Sequence, residues 1–150
     1  MADRSKIVQQ VSIFLENKSG RLAEVCSTLG ANDINIRALC IADTSDFGIL
    51  RLIVNDPVKA TGLLRDAGFS VGTTAVIALG VPDRPGGLAG VLEKLQAQDI
   101  NVEYMYAFFV TRGGDAVVLF RVADEALERT MDLLDREKIP ILTAEEVYAL

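Results

Sequence analysis

Apolar and polar positions along the chain switch between two periods, and each switch marks an element. Residues 6–15 carry Ile7, Val8, Val11, Ile13, Phe14 and Leu15, a β-branched and aromatic run that predicts a first strand. A polar loop over 16–20 ends it, and residues 21–31 then place apolar side chains at helical spacing, with Gly30 as the stop signal. Residues 34–42 return to alternation, Ile34, Ile36, Ala38, Cys40 and Ala42 on one face, Leu39 and Ile41 on the other. Asp43-Thr44-Ser45-Asp46 supplies hairpin-turn chemistry before a strand over 48–54. Asp56-Pro57 reads as an N-cap and first-turn proline, and their helix runs to Gly68, a residue suited to the left-handed C-terminal cap. A strand over 69–73 completes a β-α-β-β-α-β order.

The same order follows again: strand 75–81, loop 82–86, helix 87–98, strand 101–111, hairpin Arg112-Gly113-Gly114-Asp115, strand 116–122, a helix over 125–136 and a short strand around 139–142. Residue identities repeat with it. Asn17-Lys18-Ser19-Gly20-Arg21-Leu22 is answered 66 positions later by Asp83-Arg84-Pro85-Gly86-Gly87-Leu88, and Asp33-Ile34-Asn35-Ile36 by Asp99-Ile100-Asn101-Val102 at the same separation. Between them Leu22, Val25, Cys26 and Leu29 match Leu88, Val91, Leu92 and Leu95. The duplication predicts an α+β chain of two tandem ferredoxin-like modules, residues 1–73 and 74–150, each an antiparallel sheet with its helices on one face. Beyond the hairpin, Leu64 and Ala67 pair with Met131 and Leu134 at a separation of 67, which implies one inserted residue in a loop. No linker separates the halves, since residues 69–81 are nearly continuous strand-like sequence, so close docking is expected.

Halves of a 150-residue chain lie near the lower limit for a self-sufficient core, and 50 % hydrophobic against 24 % charged residues is enough to cover both sheet faces. The strand that carries Ala38, Cys40 and Ala42 in the first half carries Tyr104, Tyr106 and Phe108 in the second, with Met105, Ala107 and Phe109 on its other face. A sheet apolar on both faces predicts a homodimer. If the two strands line comparable sites, aromatics fill what small side chains leave open, and equal occupancy is not expected. A net charge of −6 repels a phosphate backbone, so nucleic acid is excluded as a partner. No apolar run approaches the ~18 residues that span a bilayer, and Met1-Ala2-Asp3-Arg4-Ser5-Lys6 holds no signal core, so the expectation is a cytoplasmic protein without membrane contact. With two cysteines and no histidine there is no zinc pattern; Cys26, in the place of Leu92, and Cys40, in that of Tyr106, read as packing residues of a reduced protein. The chain has no histidine for a serine or cysteine pair, no phosphate loop and no metal set, and Glu145 and Glu146 read as a solvated helix face. Neither catalysis nor a cofactor is expected.

Gly20 and Gly86 leave a strand and enter a helix, where free backbone N–H groups and a helix dipole suit a carboxylate. Pro85 pre-sets a tight turn in which Gly86 takes positive φ. Asn17 and Asp83, three residues earlier, can accept from an ammonium group, so each loop matches the backbone portion of an amino acid. The same residues also make ordinary turns, with Ser19 available as an N-cap, and Asn35 and Asn101 can serve as local caps between helix and strand.

Strand, Asn/Asp-x-x-Gly-x-Leu, amphipathic helix, Asp-Ile-Asn-Ile/Val, strand: this succession resembles the ACT domain, a family of amino-acid-sensing regulatory modules, as a tandem pair over essentially the whole chain. The resemblance implies side-by-side pairing of modules and a small effector, usually an amino acid, bound at module interfaces and signalling to a regulated enzyme or other partner. By position, its contacts would be Asn17, Gly20 and Asn35 in the first copy and Asp83, Gly86 and Asn101 in the second. Lys18, Ser19, Arg21, Leu22 and Ile36, and Arg84, Pro85, Gly87, Leu88 and Val102, flank them. Copy one lacks the proline of the family's common Asp-x-Pro-Gly loop; copy two keeps it. Leu15 to Leu22 is also similar to the start of the acetolactate synthase small subunit, a regulatory subunit whose second half is patterned differently. A structural or assembly module without ligand is the remaining alternative.

Overall fold

The computed structural model describes residues 3–16, 18–43 and 47–150. Its elements are β1 (Val8–Glu16), α1 (Arg21–Ala31), β2 (Ile36–Asp43), β3 (Phe47–Val54), α2 (Pro57–Asp66), β4 (Ser70–Pro82), α3 (Gly87–Ala97), β5 (Tyr104–Arg112), β6 (Asp115–Arg121), α4 (Leu127–Arg136) and α5 (Ala144–Tyr148). The first series has the expected βαββαβ order, and the second repeats it as far as βαββα. The chain divides within β4 into two compact units: residues 9–74, and residues 75–148 together with residues 3–8. The last strand of the first series and the first strand of the second are thus successive halves of one 13-residue strand.

In the first unit the strand order is β2-β3-β1-β4, with β1 and β2 both antiparallel to β3. Residues directly opposite one another share a face. Val11 opposite Leu52 and Ile13 opposite Leu50 pack with Val25 and Leu29 of α1 and Ala60 and Leu64 of α2. The second unit runs β4-β6-β5; Ile77 opposite Phe120 and Leu79 opposite Val118 pack with Val91 and Leu95 of α3 and Met131 and Leu134 of α4. Helix α2 begins as its sequence predicts, the Asp56 carboxylate accepting from Lys59 N–H at 3.1 Å with Pro57 in the first turn. The β5–β6 turn holds Gly113 and Gly114 at φ 59° and 83°, the pair of positive values that a two-residue hairpin of the primed type requires. The corresponding turn of the first unit, at residues 44–46, lies outside the described residues.

Several expectations are corrected. The strand placed over 6–15 begins at Val8, because Asp3 accepts from Ser5 N–H and starts a 3-10 turn over Arg4–Lys6. Ile7 then packs on the core of the second unit, with Lys6 Nζ 3.5 Å from Asp135. In β2 the alternation breaks at a bulge: Ile36 opposes Val54 but Ala38 opposes Ile53. One extra residue flips the register, so Ile36 shares the helix side with Leu39 and Ile41, while Ala38, Cys40 and Ala42 take the other face. Cys26 is exposed rather than packed, since Val25 and Leu29 take the core stripe and the next residue turns about 100° away. The strand at 139–142 shrinks to one bridge, Ile141 on Leu79, since Pro140 has no N–H to continue a ladder. After it comes the unforeseen α5, opened by a capping box in which Thr143 N–H donates to Glu146 Oε2 at 2.9 Å and Glu146 N–H to Thr143 Oγ1 at 3.1 Å.

The insertion in the second copy is also larger than one residue. Val11 and Ile77, 66 apart, oppose Leu52 and Phe120, 68 apart, because the β5–β6 register slips by two residues between Ala107 and Thr111. The N-caps of α2 and α4, Asp56 and Ala126, are 70 apart, and a 3-10 turn over Asp124–Ala126 precedes α4. Tyr104 and Tyr106, opposite Arg121 and Leu119, face away from the helices; Met105 and Ala107 face their side. The side chain of Phe109 lies outside the described residues.

Candidate functional site

Both repeated loops fold into the same turn. Arg21 N–H donates to Lys18 O at 3.3 Å with Gly20 at φ 90°, ψ −15°; Gly87 N–H donates to Arg84 O at 3.0 Å with Gly86 at φ 83°, ψ −6°. These are type II turns, whose third residue favours glycine and whose second accepts Pro85 or Ser19. Each is entered by a matching bond, Lys18 N–H to Glu16 O at 2.8 Å and Arg84 N–H to Pro82 O at 2.9 Å. Each is left by another, Glu24 N–H to Gly20 O at 2.9 Å and Gly90 N–H to Gly86 O at 3.0 Å. Gly20, not Ser19, holds the N-cap position. Asn17 lies outside the described residues; its counterpart Asp83 is exposed, its N–H 3.4 Å from Gly114 O.

The Asp-Ile-Asn motifs end helices. Asp33 and Asp99 are left-handed, at φ 61° and 55°, with Asp33 N–H donating to Gly30 O and Ile34 N–H to Leu29 O, and Asp99 N–H to Gln96 O and Ile100 N–H to Leu95 O. This is the Schellman pattern, in which the isoleucine covers the leucine five residues before it. Gly30, expected to stop α1, sits inside it; Asp33 performs that task, a short polar side chain tolerating the left-handed region. Ile36 and Val102 pack on their cores, and Asn35 and Asn101 are exposed. Asn35 N–H donates to Asn55 Oδ1 at 2.9 Å, a partner that no sequence signal marked. Each turn and its Asn stand at opposite ends of an 11-residue helix, about 16 Å apart. One unit therefore does not gather Gly20 with Asn35, or Gly86 with Asn101, around a single small molecule.

Beside the Gly86 turn the second unit holds a groove of about 260 Å³, lined by Gly87, Gly90 and Val91 of α3 and by Ile139 and Pro140. Four charged side chains also line it: Arg84, Lys94, Asp115 and Lys138. Gly87 is buried, and a Cβ there would run into the carbonyl oxygen of Pro82. Leu88 packs against the core while its counterpart Leu22 is 44 % exposed. Tyr104 and Tyr106 do not line the groove, being on the other side of the sheet from α3. At the matching place in the first unit, Arg21 Nη1 lies 3.0 Å from Glu24 Oε2 and its guanidinium 4.9 Å from the Phe69 ring centroid. Lys18 Nζ lies 2.8 Å from Glu16 Oε2, and that hydrogen bond and charge hold the Glu16 carboxyl below its ordinary range. Of the groove's lining, Arg84, Gly86 and Gly87 were legible in the repeat. Gly90 was missed, though its contrast with Glu24 at the same separation of 66 could have found it, and Lys138 is hidden by the insertion. Among the described residues no group of three or more His, Cys, Asp or Glu side chains could hold a metal ion, and no helix is long and apolar enough to cross a membrane.

Two βαββαβ-like units, each with a glycine type II turn opening its first helix and an aspartate closing it, define a duplicated ferredoxin-like module. The profile of the ACT domain pair matches residues 6–150, and the chain belongs to that family. Protein BT0572 from Bacteroides thetaiotaomicron has 43 % identity to it over 97 % of this chain and 98 % of that one, with a TM-score of 0.90. The regulatory subunit of aspartate kinase from Thermus thermophilus, in its ligand-free form, shares the fold at 13 % identity and a TM-score of 0.62, over 85 % of this chain and 91 % of that one. Its counterpart from Thermus flavus does so at 14 % and 0.58, over 85 % and 90 %. A search of curated proteins finds no match.

Proposed function

We propose that the chain is a non-catalytic regulatory protein that binds an amino-acid effector and passes its level to a partner enzyme or regulator. The observation that carries this reading is the turn built twice: two loops that share few residues keep the same φ at Gly20 and Gly86 and the same three flanking hydrogen bonds. Each leaves first-turn N–H groups outside the helix ladder, donors matched to a carboxylate, with the Asn17 and Asp83 positions suited to an ammonium group. An effector touching both a turn and an Asn of the Asp-Ile-Asn motif has to take them from two modules, since they lie at opposite ends of one helix. A homodimer is part of the reading: Phe14 and Phe47 are each 59 % exposed and offer apolar surface for a second copy. The two free cysteines, Cys26 and Cys40, suit a cytoplasmic setting.

A thermal-shift screen of the proteinogenic amino acids tests it. A ligand at ~100 times its Kd adds ~2.7 kcal/mol, which raises Tm by roughly 5–10 °C at this length. One or a few amino acids are expected to do so. A flat response to every amino acid would instead favour a structural module without ligand.

A further inference from the structure

The two copies of the turn region differ in charge in one direction. In the first, each cation has a carboxylate within its own loop, Lys18 with Glu16 and Arg21 with Glu24, and Arg21 lies across Phe69. At the matching positions of the second copy Glu16 becomes Pro82, Glu24 becomes Gly90, Arg21 becomes Gly87 and Phe69 becomes Ile139, while the cation Lys18 is kept as Arg84. Both carboxylates and the side chain that fills the space are gone. Two further cations arrive, Lys94 in the place of Thr28 and Lys138 in that of Gly68. Lys94 is balanced by Glu137 at 3.2 Å. Arg84, Lys138 and Asp115 remain to face the groove, an excess of one positive charge in a chain whose net charge is −6.

Lys138 carries an independent mark. Each of α1 to α4 ends on a left-handed residue, and at three of them that residue is Asp33, Gly68 or Asp99. The fourth is Lys138, at φ 58°, a long side chain in a conformation that glycine adopts without strain. A cation at the C-terminal end of α4 offsets part of that strain through the helix dipole, and a cation facing the groove gives a reason for lysine rather than glycine there.

Resting on the reading of this chain as an amino-acid sensor, we propose that its effector is an acidic amino acid, bound once per chain in the groove of the second unit. Two carboxylates and one ammonium group match two cations and one carboxylate, Arg84, Lys138 and Asp115. The groove is smaller than the ~300–1,000 Å³ typical of sites for drug-sized ligands, as a metabolite of this size requires. At the corresponding place of the first unit stand Arg21, Glu24 and Phe69, with the Arg21 cation already paired.

Isothermal titration of the full chain with aspartate, glutamate, asparagine, glutamine and valine tests the proposal. Aspartate or glutamate should bind at one per chain, with its amide counterpart weaker by about tenfold or more, the loss of one charge-assisted hydrogen bond. Gly90→Glu restores the carboxylate of the first copy at a position where a Cβ meets open space, and should abolish binding with the fold intact by circular dichroism. Lys138→Gly should melt higher than the parent without ligand and yet bind about tenfold more weakly or worse, a combination that a merely structural lysine would not produce. Equal or tighter binding of an amide or of valine overturns the acidic effector while leaving amino-acid sensing intact. Two ligands per chain, or binding that survives both substitutions, overturns the groove. If no amino acid binds, the underlying reading fails and the proposal with it.

Discussion

Gly87 and Gly90 stand three residues apart on α3 and answer to different constraints. A Cβ at Gly87 would meet the Pro82 carbonyl, so Gly87→Ala should destabilise by roughly 1–3 kcal/mol through backbone displacement. Around Gly90 there is open space, so Gly90→Ala should stabilise by on the order of 0.5–1 kcal/mol through helix propensity. Urea midpoints moving in opposite directions would establish the contrast; equal shifts would remove the close approach at Pro82. Glu16 supplies a second expectation. The Lys18 hydrogen bond and charge lower its pKa in the folded state, so whatever it adds to stability is present above the unfolded value and lost as pH falls through the folded one. Lys18→Ala should move the Glu16 titration upward, toward an ordinary carboxylate, in an NMR pH series. An unmoved titration would mean that the ion pair is not populated in solution.

The helices show which local signals travel well. Bounds of 21–31 for α1 were legible because its apolar stripe and the polar loop before it are both local. Its terminator was misread, since Gly30 is the familiar signal and Asp33 only becomes one with Ile34 folded back over Leu29. The N-cap of α2 is fully local, and Asp56→Ala should cost about 1 kcal/mol, lowering Tm by about 2–4 °C in a calorimetric scan. A strand is harder. The bulge at Arg37 leaves the apolar alternation of β2 intact in sequence while moving Ile36 to the opposite face from Ala38. Helix α5 was readable in principle from Thr143 and Glu146, the two ends of its capping box, but at five residues it has too little periodicity to announce itself.

As a whole the molecule is a duplicated module whose copies have drifted apart, and membership of the ACT domain pair family follows from features repeated along the chain. Element order, the two glycine turns and the apolar stripes of α1 and α3 were open to reading because each depends on residues within a few positions of one another, through backbone hydrogen bonds and side-chain period. The groove was not. Arg84, Asp115 and Lys138 lie tens of residues apart and converge only because the winding of the second unit brings its first loop, its hairpin and the end of α4 to one place. Aromatic side chains on the second strand suggested a filled second copy. Folding instead turns Tyr104 and Tyr106 away from α3 and sets Arg21 over Phe69 in the first copy, because which side chains share a space depends on separate elements brought together.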